Sequence, residues 1–520
     1  MTFNPFLIYA NSILYLVVPI LFFFLGWLKL GIGIILSLLL LLSSYIFLKK
    51  VKGLLDNAEV IQVNKECWIS LVILLLFLLS TGNTGFVGSW GVDIPWRNAI
   101  YQDLIHQSWP VKYDYSNSML CYYMVFWLVP AEISSILHLD DFGSNVVLFL
   151  WMYIGLILIF LLLCDVIRPQ KEYIVFTIVL FLFFSGINTF GMILKSIFFE
   201  PTPLITDVPE RLSWSFSDFS INGIDTVLII RSIYLCVADV YNQFFAIAIA
   251  TLLFLRLRKN TEVYAFIGLL ALPYSPLGFI GIFIIQILEL TKYILKSSDK
   301  KSLGCKFMSI ISYANILAVI SIIPIFYFYF FMNSNAEVLL TSQYVGDSSF
   351  LSIPISKFSK GHLVLLFFYY YFYFLIYARL IFNSYKKESL YYGALFCLII
   401  FPFFKIGKTA DFNFNATICP YILLFVLIVK HLLSTLEAKN FGLKEILLLF
   451  FLSIAMLTPI VQISTSIRAA YIHDSYNYKW TPWNPKLSWN SFKDKDINLL
   501  RNFLVSGYEK KVFFKYFAKQ

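Results

Sequence analysis

Long apolar runs constrain this chain more than any other feature of its sequence. Four of them, at residues 13–27, 31–48, 146–163 and 446–463, approach the roughly 20 residues that an α-helix needs to cross the hydrocarbon core of a bilayer. They do not alternate apolar and polar residues with a period of two, so they favour helices over the strands of a membrane barrel. Only 13% of the 520 residues are charged, against about 25% in soluble domains. The sequence therefore predicts an integral membrane protein.

The charge balance is basic, with 40 Lys and Arg against 30 Asp and Glu. Such a balance can indicate a nucleic-acid partner, but many of these basic residues cluster in short connections between apolar runs. The positive-inside rule places such clusters on the cytoplasmic side of a membrane. The seven cysteines are scattered, mostly within apolar runs, and show neither a disulfide framework nor a zinc spacing. We therefore expect a lipid bilayer as the environment and no nucleic-acid partner.

These patterns predict an all-α polytopic bundle of about 13 transmembrane helices, with further helices in the outer loops. Residues 1–66 would form an N-terminal transmembrane hairpin and a cytoplasmic connection, residues 67–465 a transmembrane module, and residues 466–520 a small extracytoplasmic tail. Within the first outer loop, residues 119–137 would form an interfacial or re-entrant helix. The large outer loops of the module would be residues 82–144, 195–235, 333–360 and 404–415.

The first outer loop carries the most polar stretch of the chain, residues 88–114. Asp93 precedes a helix-compatible run, WRNAIYQDLIH, and suits two roles there: the N-cap of that helix, or a general base at the mouth of a membrane cavity. The polar face of the run, which also fits an ordinary interfacial helix, comprises Arg97, Asn98, Asp103 and His106. His106 has no second His or Cys nearby, so we expect no metal site there.

Two other segments carry charged residues where the membrane environment disfavours them. Arg231 and Asp239 lie eight residues apart in a largely apolar run, where Arg231 could hold a lipid phosphate or take part in a structural pairing with Asp239. Lys408 and Asp411 lie in the short loop before Pro420, on the outer side in the expected topology. Positive charge there opposes the positive-inside rule, so an anionic ligand is one explanation and plain solvation of the loop is the other.

Several residues of the first outer loop form a pattern, which consists of Asp93, Trp96-Arg97-Asn98-Ala99, Trp109-Pro110 and a segment from Tyr122-Tyr123 to Pro130-Ala131. This pattern resembles bacterial multispanning proteins of the GT-C glycosyltransferase superfamily. The later segment GKTADFNFNATICP is similar to an Asn-Asp-x-x-x-Arg-x-Ser-Ile-Pro stretch of the same superfamily. Asp411 and Ile418 match that stretch, Thr417 stands in place of its Ser, and Pro420 comes one residue late. Its Arg and its first Asn are replaced by Asn415 and Ala410.

The resemblance covers residues 67–434 in order and layout. It implies an enzyme that takes a sugar from a polyprenyl-phosphate donor and transfers it, with inversion, to a cell-envelope glycan or lipid acceptor. The active site would face the outside of the bacterial cytoplasmic membrane, and Asp93 would deprotonate the acceptor hydroxyl. Some members of the superfamily use a divalent cation and many do not, so a role for Mg²⁺ or Mn²⁺ stays open.

The predicted site residues fall into three groups under this interpretation. The catalytic base is Asp93. The donor phosphate would be held by Arg97, Arg231 or Lys408, through charge-assisted hydrogen bonds. The remaining substrate contacts would be Trp96, Asn98, Asp103, His106 and Asp411.

Two other functions fit an apolar chain with polar outer loops. An O-antigen polymerase or ligase also joins lipid-linked glycans, but it relies on outer-loop Arg and His, and few arginines stand in the outer loops here. A flippase or transporter for lipid-linked sugars would show charges along several spans and internal repeat symmetry, and neither is evident.

Overall fold

The computed structural model describes residues 2–55, 61–62, 64–82, 94–113, 117–187, 219–221, 224–226, 230–295, 308–332, 371–404, 411–471 and 503–519. These residues are mainly helical, because most of their runs are apolar and a helix pairs its own backbone groups without water. The α-helices are α1 (Pro5–Trp27), α2 (Leu30–Leu55), α3 (Lys65–Ser80), α4 (Ile94–His106), α5 (Val125–Ile136), α6 (Asp141–Ile167), α7 (Ile174–Leu182), α8 (Ile233–Asp239), α9 (Tyr241–Leu257), α10 (Tyr264–Ala271), α11 (Pro276–Leu295), α12 (Tyr313–Tyr327), α13 (Ile376–Tyr385), α14 (Ser389–Ile400), α15 (Asp411–Ala416), α16 (Ile418–Glu437), α17 (Leu443–Tyr471) and α18 (Val512–Tyr516).

Strands are short in the described residues and form three small antiparallel sheets. One pairs β1 with β2, another pairs β5 with β6, and the third has the order β3-β4-β7. The strands are β1 (Thr2–Phe3), β2 (Ile61–Gln62), β3 (Lys112–Tyr113), β4 (Ser118–Leu120), β5 (Phe219–Ile221), β6 (Ile224–Thr226) and β7 (Leu504–Ser506).

Within the described ranges, seven helical stretches are long and apolar enough to cross a membrane. They are Pro5–Trp27, Leu30–Leu54, Asp141–Ile167, Pro276–Leu295, Tyr313–Met332, Asp411–Glu437 and Leu443–Ser464. This agrees with the prediction of an all-α polytopic membrane protein, but the expected count of about 13 spans is not confirmed. Helices α7 and α10 have nine and eight residues. At a rise of 1.5 Å per residue such helices are roughly 12–14 Å long, less than half the thickness of the hydrocarbon core.

Residues 82–144, which were expected to form the first outer loop, contain two of the expected loop helices. Helix α4 covers the run that was predicted to be helical from its sequence. Helix α5 begins only at Val125, six residues later than the helix predicted for residues 119–137, because Ser118–Leu120 form the middle strand of a sheet. The Tyr101 hydroxyl joins these elements by donating to the backbone oxygen of Ser144 at 2.8 Å and contacting Ser134 Oγ at 3.2 Å.

The C-terminal segment, residues 503–519, packs against the transmembrane module. Strand β7 pairs with β4, with Val505 opposite Met119. In helix α18, Phe513 is fully buried, and its ring centroid lies 4.9 Å from that of Phe328. The backbone N–H of Lys519 donates to the Trp27 carbonyl at 2.9 Å, so this segment closes over the end of α1. The tail that was expected from residue 466 begins within a helix, because α17 runs through to Tyr471.

Basic side chains collect at the other end of the bundle. Lys50 pairs with Glu262 at 2.8 Å, Arg256 Nε with Asp165 at 3.0 Å, and Arg258 with Glu388 at 3.6 Å. The first pair joins the end of α2 to the turn before α10, and the other two join the end of α9 to the end of α6 and to the start of α14. The positive-inside rule predicts that the basic ends of several helices lie together on one face of a membrane protein, as they do here.

Helix α11 touches α15 through a glycine. A Cβ added at Gly281 would stand 2.1 Å from the Ala416 carbonyl oxygen, so the two backbones could not keep their present separation. We expect Gly281→Ala to lower the free energy of unfolding by about 1–3 kcal/mol, measured by thermal unfolding of the purified protein in detergent.

The matched control is Gly31→Ala in α2, where a Cβ meets nothing within 4 Å. Alanine is the better helix former, so this variant should be up to about 1 kcal/mol more stable than the wild type. Equal melting temperatures for Gly281→Ala and the wild type would contradict the close approach of α11 to α15.

Candidate functional site

Two arginines from distant parts of the chain meet on one aspartate. Arg97 Nη1 lies 3.2 Å from Asp239 Oδ1, and Arg231 Nη2 lies 2.8 Å from Asp239 Oδ2. The side chains of Arg97, Arg231 and Asp239 are 4%, 9% and 17% exposed. We call these three residues the arginine–aspartate triad. Since two cations share one carboxylate in a largely buried place, the triad itself carries a net positive charge.

A helix break positions Asp239. It is the last residue of α8, and Val240 leaves helical geometry with φ −121° and ψ 35° before α9 begins at Tyr241. Arg231 lies just before α8, whose N-cap Ser232 accepts a hydrogen bond from the Leu235 N–H at 3.0 Å. The two residues were expected to share a helix face through their spacing of eight. Only Asp239 lies within α8, at its last position, whereas Arg231 precedes the N-cap, and the two side chains pair directly.

Helix α4 carries Arg97 to the triad. Its orientation is fixed by Tyr101, which bonds to α5 and α6, and by Asp103 on the same helix. Burial raises the pKa of the Tyr101 hydroxyl, so that group remains a neutral hydrogen-bond donor. Asp103 accepts from the Tyr113 hydroxyl and from Gln107 Nε2, both at 2.9 Å. The loop that follows α4 is therefore tied back to the helix.

Helix α15 forms another wall at Arg231. The ring of Phe414 lies 4.2 Å below the Arg231 guanidinium, a cation–π contact that is stronger where water is excluded. This helix falls in the segment 404–415 that was expected as an outer loop. Its residues Phe412 to Ala416 are buried. The segment around Asp411 and the Arg231 run, which were singled out separately in the sequence, are thus neighbours.

Unused hydrogen-bonding capacity remains in this part of the bundle. Arg231 Nη1 is buried and has no hydrogen-bond partner among the described residues. The same holds for Asn415 Oδ1 and for both amide atoms of Asn242, which is fully buried in the first turn of α9. Buried polar groups in native proteins are nearly always paired with protein, water or ligand. The guanidinium of Arg231 can therefore take a further acceptor beside Asp239.

The remaining predicted site residues are dispersed around α4. Trp96 is buried and stacks on Phe503 with centroids 5.8 Å apart, Asn98 is half-buried, and His106 is exposed at the end of the helix. Asp103 is 2% exposed and serves the local hydrogen bonds described above. Asp93 and Lys408 lie outside the described residues, so their roles stay predictions.

The sequence predicted no metal-binding residues, while the resemblance to the GT-C superfamily left a role for a divalent cation open. In the part of the chain that the structure describes, no group of three or more His, Cys, Asp or Glu side chains is placed to hold a metal ion. The triad has a single carboxylate beside two guanidinium groups. Its chemistry suits an anion, because guanidinium groups form forked hydrogen bonds with phosphate or carboxylate oxygens.

Comparison with known proteins adds no identification. No protein-family model matches the sequence, and no curated protein matches it significantly. What the site can do must therefore be argued from its own residues.

Proposed function

We propose that this integral membrane protein is a glycosyltransferase that takes a sugar from a polyprenyl-phosphate donor, with Arg97 and Arg231 holding the donor phosphate. The observation that supports this proposal is the sharing of Asp239 by the two arginines. Both were considered as phosphate ligands for separate reasons, and they lie within 3.2 Å of the same carboxylate.

The charge of the triad suits a leaving phosphate. When the bond between the sugar and the phosphate breaks, negative charge grows on the phosphate oxygens. Fixed guanidinium groups in a site from which water is largely excluded stabilise that charge more than water would. Arg231 Nη1, which has no partner among the described residues, offers the phosphate a hydrogen bond that does not require Asp239 to move.

The proposed base lies close to Arg97 along the chain. Asp93 is four residues before Arg97, and a chain of that length spans at most about 14 Å. A carboxylate at Asp93 can therefore reach a sugar whose phosphate is held at the triad. It would take the proton from the acceptor hydroxyl, whose oxygen attacks the anomeric carbon while the bond to the phosphate oxygen breaks.

The full proposal places this enzyme in a bacterial cytoplasmic membrane, with the triad on the extracytoplasmic side and a cell-envelope glycan or lipid as acceptor. The separation of the triad from the basic helix ends supports the orientation. Helix α9 has 17 residues, which places Asp239 roughly 25 Å from Arg256 at its other end. A basic end is expected on the cytoplasmic side.

One observation favours a transporter of anionic lipid-linked sugars as the second candidate. Helices α8 and α9 are interrupted at Val240, and the N-cap side chain of α11, Ser275, bonds to Gln243 in the first turn of α9 at 2.7 Å. Interrupted helices whose N-termini meet inside a membrane are typical of transporter substrate sites.

Sugar transfer by the purified protein tests the proposal and separates the two candidates. The protein is supplied with polyprenyl-phosphate sugars and acceptor glycans, and transfer is followed by the release of polyprenyl phosphate. We expect Arg231→Gln to reduce transfer at least about a hundredfold, since it removes a fixed charge from the leaving group.

The matched control is Arg379→Gln, which removes an exposed arginine on α13 and should leave transfer unchanged. Equal losses in the two variants would contradict a specific role for Arg231. No transfer by the wild type with any donor, together with movement of the donor across vesicle membranes, would overturn the enzyme and favour the transporter.

A further inference from the structure

A second group of cations lies at the basic end of the bundle, roughly 25 Å from the triad. Arg168 is the C-cap of α6, Arg256 lies in the last turn of α9 and Arg258 follows it, and Lys430 lies on α16. We call these four residues the basic cluster. The helix that carries Lys430, α16, packs against both α6 and α9, the helices at whose ends the three arginines lie. The cluster therefore gathers cations from three different helices.

The position of Lys430 distinguishes this cluster from ordinary basic residues at helix ends. Residues 418–429 and 431–433 of α16 are buried, so most of this helix is surrounded by other elements of the bundle. Other lysines in connections that the positive-inside rule assigns to the same side of the membrane are exposed, namely Lys386, Lys387, Lys439 and Lys444. Lys430 is half-buried, between the buried residues Val429 and His431, and like charges repel more strongly in such a place than in water.

Counter-charges within the described residues do not balance the cluster. Asp165 accepts from Arg256 at 3.0 Å and also from the Tyr9 hydroxyl, and Glu388 lies 3.6 Å from Arg258. Lys430 and Arg168 have no ion-pair partner among the described residues. Four cations thus have two ion-paired carboxylates between them, and the side chain of Glu388 is 42% exposed. A further anion would relieve this repulsion.

We propose that the basic cluster binds a phosphate group as a second anion site, separate from the triad. Arginine offers forked donors and lysine a point charge, the two groups that proteins use for phosphate. Basic pockets between helix ends are also where membrane proteins take up the head groups of anionic lipids. The phosphate can come from an anionic phospholipid or from free phosphate in solution, and the two sources are separable by experiment.

Thermal unfolding of the full chain in neutral detergent tests this site without any sugar donor. Inorganic phosphate is compared with chloride at equal ionic strength, and protein in phosphatidylcholine nanodiscs is compared with protein in nanodiscs that also contain phosphatidylglycerol. A ligand that binds only the folded state raises the melting temperature. A rise with phosphate alone identifies the free ion, and a rise with phosphatidylglycerol identifies the head group.

Lys430→Met provides the decisive variant, because it has two opposite effects if the cluster binds an anion. Without phosphate or anionic lipid it should melt at a higher temperature than the wild type, since a repelling charge is gone. The rise in melting temperature that the anion causes in the wild type should be absent from Lys430→Met at the same anion concentration. The affinity of the variant for the anion should be lower by about tenfold or more. Lys444→Met, at an exposed lysine of α17, should show neither effect.

Two further variants keep the outcome interpretable. If Lys430→Met does not fold, Arg168→Gln should give the same loss of response from an exposed position. Any part of the response to inorganic phosphate that Arg231→Gln abolishes belongs to the triad, and the part that this variant leaves belongs to the basic cluster. A wild type that responds to neither anion, or a Lys430→Met or Arg168→Gln response equal to that of the wild type, would overturn the proposal.

Discussion

Asp239→Asn should destabilise the folded protein by about 3–5 kcal/mol, which is the cost of removing one partner from a buried ion pair. The asparagine keeps the volume of the side chain but leaves the Arg231 guanidinium, 9% exposed, without the carboxylate that lies 2.8 Å from it. The loss should appear as a lower melting temperature in detergent and as a lower yield of folded protein.

A double-mutant cycle isolates the pair. The variant that combines Arg231→Gln with Asp239→Asn removes both charges, so its loss should be smaller than the sum of the two single losses. Glu388→Gln is the control, because Glu388 lies 3.6 Å from Arg258 in a pair whose side chains are 42% and 36% exposed. Exposed pairs contribute about 1 kcal/mol or less. Strict additivity of the Arg231 and Asp239 effects would contradict the direct interaction.

Asp93→Asn should reduce the rate of sugar transfer by about 10²–10⁴-fold, the usual contribution of a positioned general base. The amide cannot accept the proton of the acceptor hydroxyl, although it retains the size of the carboxylate and its capacity to cap a helix. Steady-state rates with a polyprenyl-phosphate sugar, measured over a range of acceptor concentrations, provide the comparison.

The capping role of Asp93 predicts a different result. If Asp93 acts only as the N-cap of α4, Asp93→Asn should retain both transfer and stability, because Asn caps helices as well as Asp, whereas Asp93→Ala should cost about 1 kcal/mol of stability. Full transfer by Asp93→Asn would therefore remove the base from the proposed mechanism while leaving the phosphate role of the arginines intact.

The apolar runs predicted the class of fold because the length and composition of a run show directly whether it can lie in the hydrocarbon core of a bilayer. The all-α membrane bundle and the helix at α4 followed from the runs and their polar breaks. The number of spans did not follow, since hydropathy does not show where a helix stops. Helix α7 ends at Leu182 after nine residues, and residues 118–120 form a strand of a sheet whose third strand is residues 504–506.

The chemistry of the triad was only partly visible in the sequence. Arg231 and Asp239 stood out because ionisable residues in apolar runs are costly. Arg97 stood out for a different reason, as part of a polar helix 142 residues from Asp239. Nothing in the sequence joins these two observations, because the meeting of α4 with the end of α8 depends on tertiary packing. The contact of Phe414 with Arg231 was invisible for the same reason.

The contact of residues 503–519 with the end of α1 joins parts of the chain that are made at different times during synthesis. Lys29 Nζ donates to the Lys515 carbonyl across 486 positions of the chain, and the Lys29 N–H donates to the Phe517 carbonyl at 2.8 Å. Contacts so distant in sequence carry a large loop-closure entropy, which slows their formation. During synthesis the end of α1 at Trp27 therefore lacks these contacts until residues 515–519 have been made.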